Sequence, residues 1–309
     1  MTPELSMNTP HGQLRAWIQA ARPFSFTASM TPVFLGAALV PYFQQSGRWE
    51  LLPLIAIASL LMHAATNMVS EFFDYRKGVD RPDTHGGSRV LVENLLPPKQ
   101  VLVVGLLLFA ISAGIGLIFI AIHGWPILLL GLVGILGGLF YTATPVGYKY
   151  LGLGDLCVFM LMGPLMVIGS FYVLTSSWQT EVLLISLPIG FLVAGILSGN
   201  NLRDILHDTQ AGINSTATVL GHRWARIEYS SLIVGAYLVT LGMIVFGVLP
   251  LWSLLTLLTI PPAIKNIKTA LKSQTDQPQD IATLDVQTAQ LHLPFGILLM
   301  ISVLLGAFL

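Results

Sequence analysis

The sequence predicts an all-α, polytopic membrane protein with nine transmembrane helices bundled around a central cavity. Three observations predict it. Of 309 residues, 54% are hydrophobic and only 10% charged, whereas soluble domains carry about 25% charge; the mean hydropathy is +0.76. Apolar runs of about the 20 residues needed to cross a bilayer recur along the chain. Finally, nearly every cation falls on one side of the bundle that these runs imply.

The N-terminal stretch Met1 to Arg22 lacks a short apolar core with a small-residue cleavage site, so the first span, 24–43, is expected to be retained. Pro32 lies within it and is expected to kink it, with neighbouring helices satisfying the freed carbonyl. The second span, 51–72, leads into a polar cluster. The third, 100–122, is uninterrupted, and the fourth, 125–142, is short. The fifth, 153–174, carries Pro164 and the single cysteine, Cys157. One cysteine excludes an internal disulfide, and its apolar setting reads as a packed thiol rather than a nucleophile. The sixth span, 182–201, contains Pro188 and runs into a second polar cluster; the seventh is 228–248. The eighth, 250–266, is short and carries Pro261 and Pro262, and the ninth is 288–308. Trp17, Trp125 and Trp178 sit where interfacial anchors are expected. Met62, Met160, Met162 and Met166 read as apolar filling. The polar stretch Thr269 to Asp285 reads as a loop rather than a boundary, leaving one domain over 1–309.

Charge orients the bundle. With nine spans, Arg15, Arg22, Arg76, Lys77, Arg81, Arg89, Lys99, Lys149, Arg203, Arg223, Arg226, Lys265, Lys268 and Lys272 share one side, and only Arg48 lies opposite. Cytoplasmic segments collect Lys and Arg, which makes that side and the N-terminus cytoplasmic. The formal net charge is zero. It offers no general basic surface, and nucleic acid is not an expected partner; the lipid bilayer is.

Two polar clusters lie at the cytoplasmic edge: Asn67-x3-Glu71-x2-Asp74, with Asp80 and Asp83 beyond, and Asn200-Asn201-Leu202-Arg203-Asp204-x3-Asp208. Side chains three, four and seven apart share a helix face, so each cluster aims several oxygens at one point. Hard cations want oxygen ligands. Facing each other across a cavity, the clusters can hold Mg2+ ions and, through them, a diphosphate. Cost supports a function for Asp74, Asp204 and Asp208. A charge near the bilayer interior costs about 2.5 to 3.5 kcal/mol, and acids one turn apart repel unless a cation sits between them. Asp83, Glu93 and Glu228 instead read as solvated loop ends. His63, His123, His207 and His292 lack metal spacing, so zinc is not expected, and His207 reads as a helix-face bystander. The recurrence of a span ending in Asn67 and Asp74 as one ending in Asn200, Asp204 and Asp208 suggests duplication.

Two loops add chemistry. Gly137 to Asp155 joins spans four and five and places Lys149 between Tyr148 and Tyr150, beside Tyr141; Lys149 reads either as a topology signal or as a phosphate ligand. Asp155 reads as a cap for span five or a partner of Lys149. Gly86 to Asn94 offers backbone N–H groups and Arg89 to an anion.

With these residues in view, the chain resembles the UbiA superfamily of intramembrane aromatic prenyltransferases over nearly its whole length. The resemblance is carried by Asp74-Tyr-Arg-Lys-Gly-Val-Asp80, by Tyr141 to Asp155, and by Asn200 to Gly212 followed by Thr216 or Thr218 and Gly221. The Asn-Asn-x-Arg-Asp and Tyr-Lys-Tyr-x-Gly-Leu-Gly-Asp blocks are similar to the menaquinone branch, whose bacterial members prenylate 1,4-dihydroxy-2-naphthoate. One position departs. Where the family places Asn before the acid of the first motif, this chain has Ser70, leaving Asn67, Ser70 and Glu71 as alternatives for completing the first metal site.

The resemblance implies Mg2+ held by Asp74 with Asp80 or Glu71, and a second ion held by Asp204 and Asp208. Lys149 and Arg203 would complete a clamp on the diphosphate of a polyprenyl diphosphate. Asn67, Ser70, Asn201, Tyr141, Arg89 and Arg22 would contact diphosphate or acceptor, Arg22 either meeting an acceptor carboxylate or serving only as a positive-inside anchor. Phe24, Phe72, Phe140 and Tyr141 are the aromatic faces available to an allylic cation. The activity implied is transfer of the polyprenyl group to dihydroxynaphthoate with decarboxylation, in a bacterial inner membrane. Two alternatives stand beside it: the same fold acting on haem, chlorophyll, homogentisate or a glycerol phosphate lipid, and an ion-coupled transporter. Against the transporter, the acids lie at one membrane edge rather than near the midplane.

Overall fold

A computed structural model describes residues 10–81 and 87–309, and these are helical with no β-strand among them. Asp83 lies outside the described residues. A surface helix, α1 (Pro10–Ala21), turns through a 3-10 segment (Pro23–Phe26) into α2 (Thr27–Tyr42). Then come α3 (Leu52–Lys77), α4 (Pro98–His123) and α5 (Trp125–Leu139). Next, α6 (Gly154–Met160) passes through a π-helical turn (Leu161–Leu165) into α7 (Met166–Thr175). The widened turn is where Pro164 sits, which removes a donor from the regular ladder. After α8 (Thr180–Gln210) and the short α9 (Thr216–Leu220) come α10 (His222–Val245), a 3-10 stretch (Leu251–Thr259), α11 (Ile260–Lys272) and α12 (Leu284–Phe308).

Every predicted span falls on a helical segment, but they are not equivalent. Among the described residues, seven helical segments are long and apolar enough to cross a membrane. The two predicted as short differ from them for separate reasons. Helix α5 has 15 residues, about 22 Å at 1.5 Å per residue, less than a bilayer core of about 30 Å. The eighth run divides between the 3-10 stretch and α11, which buries Ala263, Asn266 and Ala270 while exposing Lys265, Lys268 and Lys272. The predicted 269–285 loop is shorter than expected, since α11 reaches Lys272 and α12 begins at Leu284.

The core gathers around α8. Ile185, Ile189 and Leu192 on α8 join one apolar cluster with Leu35 and Leu39 of α2, Phe171 and Leu174 of α7, Ile233 of α10, and Leu291, Phe295 and Leu299 of α12. Close approach is set at one point by glycine. A Cβ on Gly163 would lie 2.5 Å from the Gly190 Cα, so the π turn packs backbone to backbone on α8. A smaller cluster fastens α1 beneath the site. Ala16 and Ala20, with partly buried Trp17, pack on Met68 of α3 and on Val90, Leu91 and Leu96 of the following loop. Trp125 and Trp178 are exposed.

Candidate active site

Both acid-bearing helices end in the same way. Gly78 (φ +71°) follows α3; its N–H bonds the Tyr75 carbonyl, and the Val79 N–H reaches back to Asp74 O at 2.9 Å. Gly212 (φ +67°) follows α8, with Gly212 N–H on Thr209 O and Ile213 N–H on Asp208 O at 2.8 Å. Each is a Schellman ending that needs a left-handed residue, hence glycine. Asp74 and Asp208 occupy the corresponding position of the two motifs, with Ser70 corresponding to Asp204. The predicted duplication thus reappears as a shared Asp-x3-Gly helix ending. Carboxylates at helix C-termini sit at the negative end of the macrodipole, so the place calls for cations.

The two ends line one polar cavity of about 40 Å3, walled by Arg22, Asp74, Val79, Asp80, Gly87, Lys149, Asn200, Asn201, Asp204, His207 and Asp208. Asp74 is tied by three donors: Ser70 Oγ (3.0 Å) and Lys149 Nζ (2.8 Å) on Oδ2, and Tyr150 OH (2.8 Å) on Oδ1. Lys149 is presented by a tight loop in which its N–H bonds Tyr141 O at 2.9 Å and the Tyr148 hydroxyl bonds Gly137 O at 2.8 Å. Burial alone would lower the Lys149 ammonium's affinity for its proton, but Asp74, Tyr141 and Asp80 outweigh burial and raise it. It stays charged. Burial, together with the charges of Asp74 and Glu71, pushes Asp80 up to about 7 against the opposing pull of Arg22 and Lys149. Its Oδ2 is buried without a hydrogen-bond partner.

Other predicted residues serve the frame. Glu71 is fully buried and accepts from Arg22 Nη2 (2.5 Å) and from the Ser88 N–H (2.9 Å). Asn67 donates to Ala21 O (2.9 Å) and Ser25 Oγ (3.2 Å). Neither lines the polar cavity; both hold the α1–α2 corner that carries Arg22. Of the three alternatives for the first site, Ser70 is the one that touches Asp74. Ser70 also lines a larger neighbouring cavity, which gives a longer side chain room to extend. Ser70→Asn is therefore expected to fold with a melting temperature within a few degrees of the parent and to retain prenyl transfer. Loss of the folded bundle would place Ser70 in tight packing instead.

In the second cluster, Arg203 is buried and does not line either cavity. Its Nε and Nη2 fork onto Asp204, both at 2.8 Å, while Nη1 meets Asp285 at 2.9 Å and Nη2 meets Asn200 Oδ1 at 2.5 Å. Asn201 donates to Asp155 Oδ1 at 2.9 Å. Asp155 therefore partners Asn201 rather than Lys149, and it makes no cap bond. Arg89 pairs with Glu93 at 2.8 Å and lines neither cavity. Glu228 is not a solvated loop end, because it accepts from Ser198 on α8. His207 is on the polar cavity wall.

The larger cavity, about 520 Å3 and mainly apolar, lies between α2, α3, α4, α5, α6, α7 and α8. Arg22, Lys149 and Asn200 line both cavities, so the polar chamber adjoins the apolar one. Phe24 and Tyr141 line the apolar cavity; Phe72 and Phe140 do not. His63, passed over in the sequence, lines it too. The available signal was its spacing, four residues before Asn67 and eight before Glu71, on the helix face that carries the first cluster.

Among the described residues, no three His, Cys, Asp or Glu side chains form a ready-made metal cluster. The donor set still fits Mg2+. That ion keeps several waters and is typically held by one or two carboxylates together with substrate phosphates, rather than by an all-protein cage. Carboxylates from two helix ends on one chamber, with the unpartnered oxygen of Asp80 among them, match that requirement.

The UbiA prenyltransferase family pattern matches residues 29–291. The chain is 30% identical over 292 residues to the 1,4-dihydroxy-2-naphthoate octaprenyltransferase of Bacillus subtilis (strain 168), covering 94% of this chain and 92% of that one. It is 31% identical over 296 residues to UbiA prenyltransferase domain-containing protein 1 of Homo sapiens, with 94% and 84% covered. Its fold is similar to that of a UbiA homolog from Aeropyrum pernix K1, with a TM-score of 0.65 and 19% identity, covering 86% of this chain and 96% of that one. It is similar also to a UbiA homolog from Archaeoglobus fulgidus bound to GPP and Mg2+, with a TM-score of 0.60 and 14% identity, covering 92% and 99%.

Proposed function

The chain belongs to the UbiA prenyltransferase family, and from that premise we propose that this integral membrane prenyltransferase moves a polyprenyl group from a polyprenyl diphosphate to 1,4-dihydroxy-2-naphthoate. The reaction is Mg2+-dependent, loses the acceptor's carboxyl group and yields demethylmenaquinone. The observation that carries this reading is the junction of an acidic chamber with an apolar cavity across Arg22, Lys149 and Asn200. A substrate with an anionic head and a hydrocarbon tail needs such a pair of spaces. The acceptor is drawn from the Bacillus subtilis relative, whose similarity spans nearly the whole of both chains.

Asp74, Asp80, Asp204 and Asp208 would hold Mg2+, which supplies charge neutralisation to the leaving diphosphate. Lys149 carries a positive charge into the same chamber, where it would bind the diphosphate. Arg203 acts by positioning. Its fork holds the Asp204 carboxylate in place, a role different from the direct clamp that the family resemblance implies. Heterolysis of the prenyl C–O bond leaves an allylic cation. The apolar walls exclude water from that cation, and the face of Tyr141 stabilises it. Arg22 lines both cavities and has a buried Nε without a partner, which suits it to orient the acceptor's carboxylate. Nine crossings, a cytoplasmic N-terminus and a bacterial inner membrane complete the reading, supported by the one-sided cations. Family membership leaves the transporter alternative without support.

The test uses the full chain in lipid nanodiscs with a radiolabelled polyprenyl diphosphate and a panel of aromatic acids. Labelled prenyl-naphthoquinol and released CO2 are expected with dihydroxynaphthoate, abolished by EDTA and restored by Mg2+. Product from a different acceptor only would replace the naphthoate. Undiminished turnover after chelation would remove the metal.

A further inference from the structure

Within the apolar cavity lies a hydrogen-bonded chain that the transfer of charge to diphosphate does not use. His63 is buried on α3 between two serines of the facing segment: Nε2 is 3.1 Å from Ser25 Oγ and Nδ1 is 3.0 Å from Ser29 Oγ. Each serine also points its hydroxyl at a backbone carbonyl, Ser25 to Arg22 O at 2.8 Å and Ser29 to Phe26 O at 3.1 Å. Asn67 adds a further donor to Ser25 Oγ.

Counting protons along the chain gives the inference. Four contacts, serine to carbonyl and serine to imidazole on each side, need four hydrogens. Two hydroxyls and a neutral imidazole hold three. Whichever tautomer is present, one serine must abandon either its carbonyl or the ring. An imidazolium supplies the fourth hydrogen: both ring N–H groups then donate to serine oxygens, and both hydroxyls donate to carbonyls. The chain is complete only after it has accepted a proton, and it stands on the wall of the apolar cavity that Arg22, the residue given to the acceptor's carboxylate, also lines.

We propose that Ser25 and His63 form a proton relay for a ring hydroxyl of the acceptor, Ser25 meeting the hydroxyl and His63 acting through it. This rests on the prenyl-transfer reading above. The prenyl C–O bond breaks with its electron pair leaving on diphosphate, and a ring carbon forms the new C–C bond. As it does, the hydroxyl O–H bond breaks, its electron pair forms a ring carbonyl, and the proton passes to Ser25 Oγ while the Ser25 proton passes to Nε2. With a carboxylated acceptor, the C–CO2 bond then breaks, its pair restores the aromatic ring, CO2 leaves, and the imidazolium returns the proton to oxygen. No oxidant or reductant is needed. Arg22, held by Glu71, is the charged group that faces His63. The cavity faces of α4 and α5 carry no titratable side chain, while Tyr141, Tyr148, Lys149 and Asp285 line the same space. Ser29 fixes the far side of the ring as a positioning residue.

Wild-type protein, His63→Gln and Ser25→Ala are compared in nanodiscs with dihydroxynaphthoate and with a series of hydroxyarenes of rising acidity. His63→Gln is expected to lower kcat about 10²–10⁴-fold, the range of a lost proton acceptor. KM for the prenyl diphosphate should stay within about twofold, and the acidic limb of the kcat profile should vanish. The wild-type to variant ratio should shrink as the acceptor hydroxyl becomes more acidic, which a packing defect would not produce. If His63→Gln does not fold, Ser25→Ala carries the same three readouts. Unchanged kcat with the acidic limb retained, or a ratio indifferent to acceptor acidity, overturns the relay while leaving the prenyl-transfer reading standing. A wild-type protein that prenylates none of the hydroxyarenes sinks both.

Discussion

Asp208→Ala is expected to lower prenyl transfer by at least about 10³-fold while the bundle remains folded, the scale of losing an electrostatic stabiliser of the leaving group. Asp208 makes this a clean test because of what it does not hold. Among the described residues no ion pair of the frame depends on its carboxylate; the substitution gives up a hydrogen bond from Ser215 but relieves the repulsion between two acids a helical turn apart, so the melting temperature should stay within a few degrees without metal. Asp204→Ala is a poorer probe. It strips the buried Arg203 of its forked partner and leaves that guanidinium to Asp285 and Asn200. Breaking such a pair costs about 3–5 kcal/mol, so lost activity there would mix chemistry with folding. The measurement is labelled product under single turnover beside a thermal unfolding curve with and without Mg2+. Full turnover by Asp208→Ala would reject the assignment of metal to this helix end.

The reason these two aspartates behave differently was not visible in the chain. Local periodicity was. Apolar runs located the helical segments of all nine predicted spans, though not α1 or the short α9, and the i, i+4 spacing put Asp204 and Asp208 on one face, because both follow from the pitch of a helix. Length alone marked the fourth and eighth runs as unlike the rest. Partners chosen across the bundle depend on how each helix is rotated and where loops return, which no local pattern fixes. Arg203 looks like a free cation in Asn-Asn-Leu-Arg-Asp, yet Asp285, 82 positions away, takes one of its nitrogens. Asp155 sits near Lys149 in sequence but is reached by Asn201, 46 positions on. Glu71 has the spacing of a metal ligand, and Arg22 with the Ser88 amide uses its Oε2 instead. His63 was lost for a related reason. A lone histidine on an apolar face usually packs silently, and only the serines brought opposite it by the 3-10 segment and α2 give it chemistry.

Lys149→Met should raise KM for the prenyl diphosphate about 100-fold and leave KM for the acceptor nearly unchanged, since one desolvated charge-assisted contact to phosphate is removed. A second consequence separates this lysine from an ordinary anchor. Its ammonium and the Tyr150 hydroxyl together neutralise and satisfy Asp74, whose side chain is only 3% exposed. Methionine keeps the apolar stem but strands that carboxylate, a loss of about 3 kcal/mol. Magnesium can then occupy the place of the missing cation. The melting temperature of Lys149→Met should therefore recover on adding Mg2+ by more than the wild type gains, because only the variant has an unpaired buried acid for the ion to relieve. Titrating Mg2+ against the unfolding midpoint of both proteins measures this directly. Equal gains would separate Lys149 from the metal at Asp74, and a raised acceptor KM with an unaltered diphosphate KM would move the lysine to the acceptor side of the shared wall.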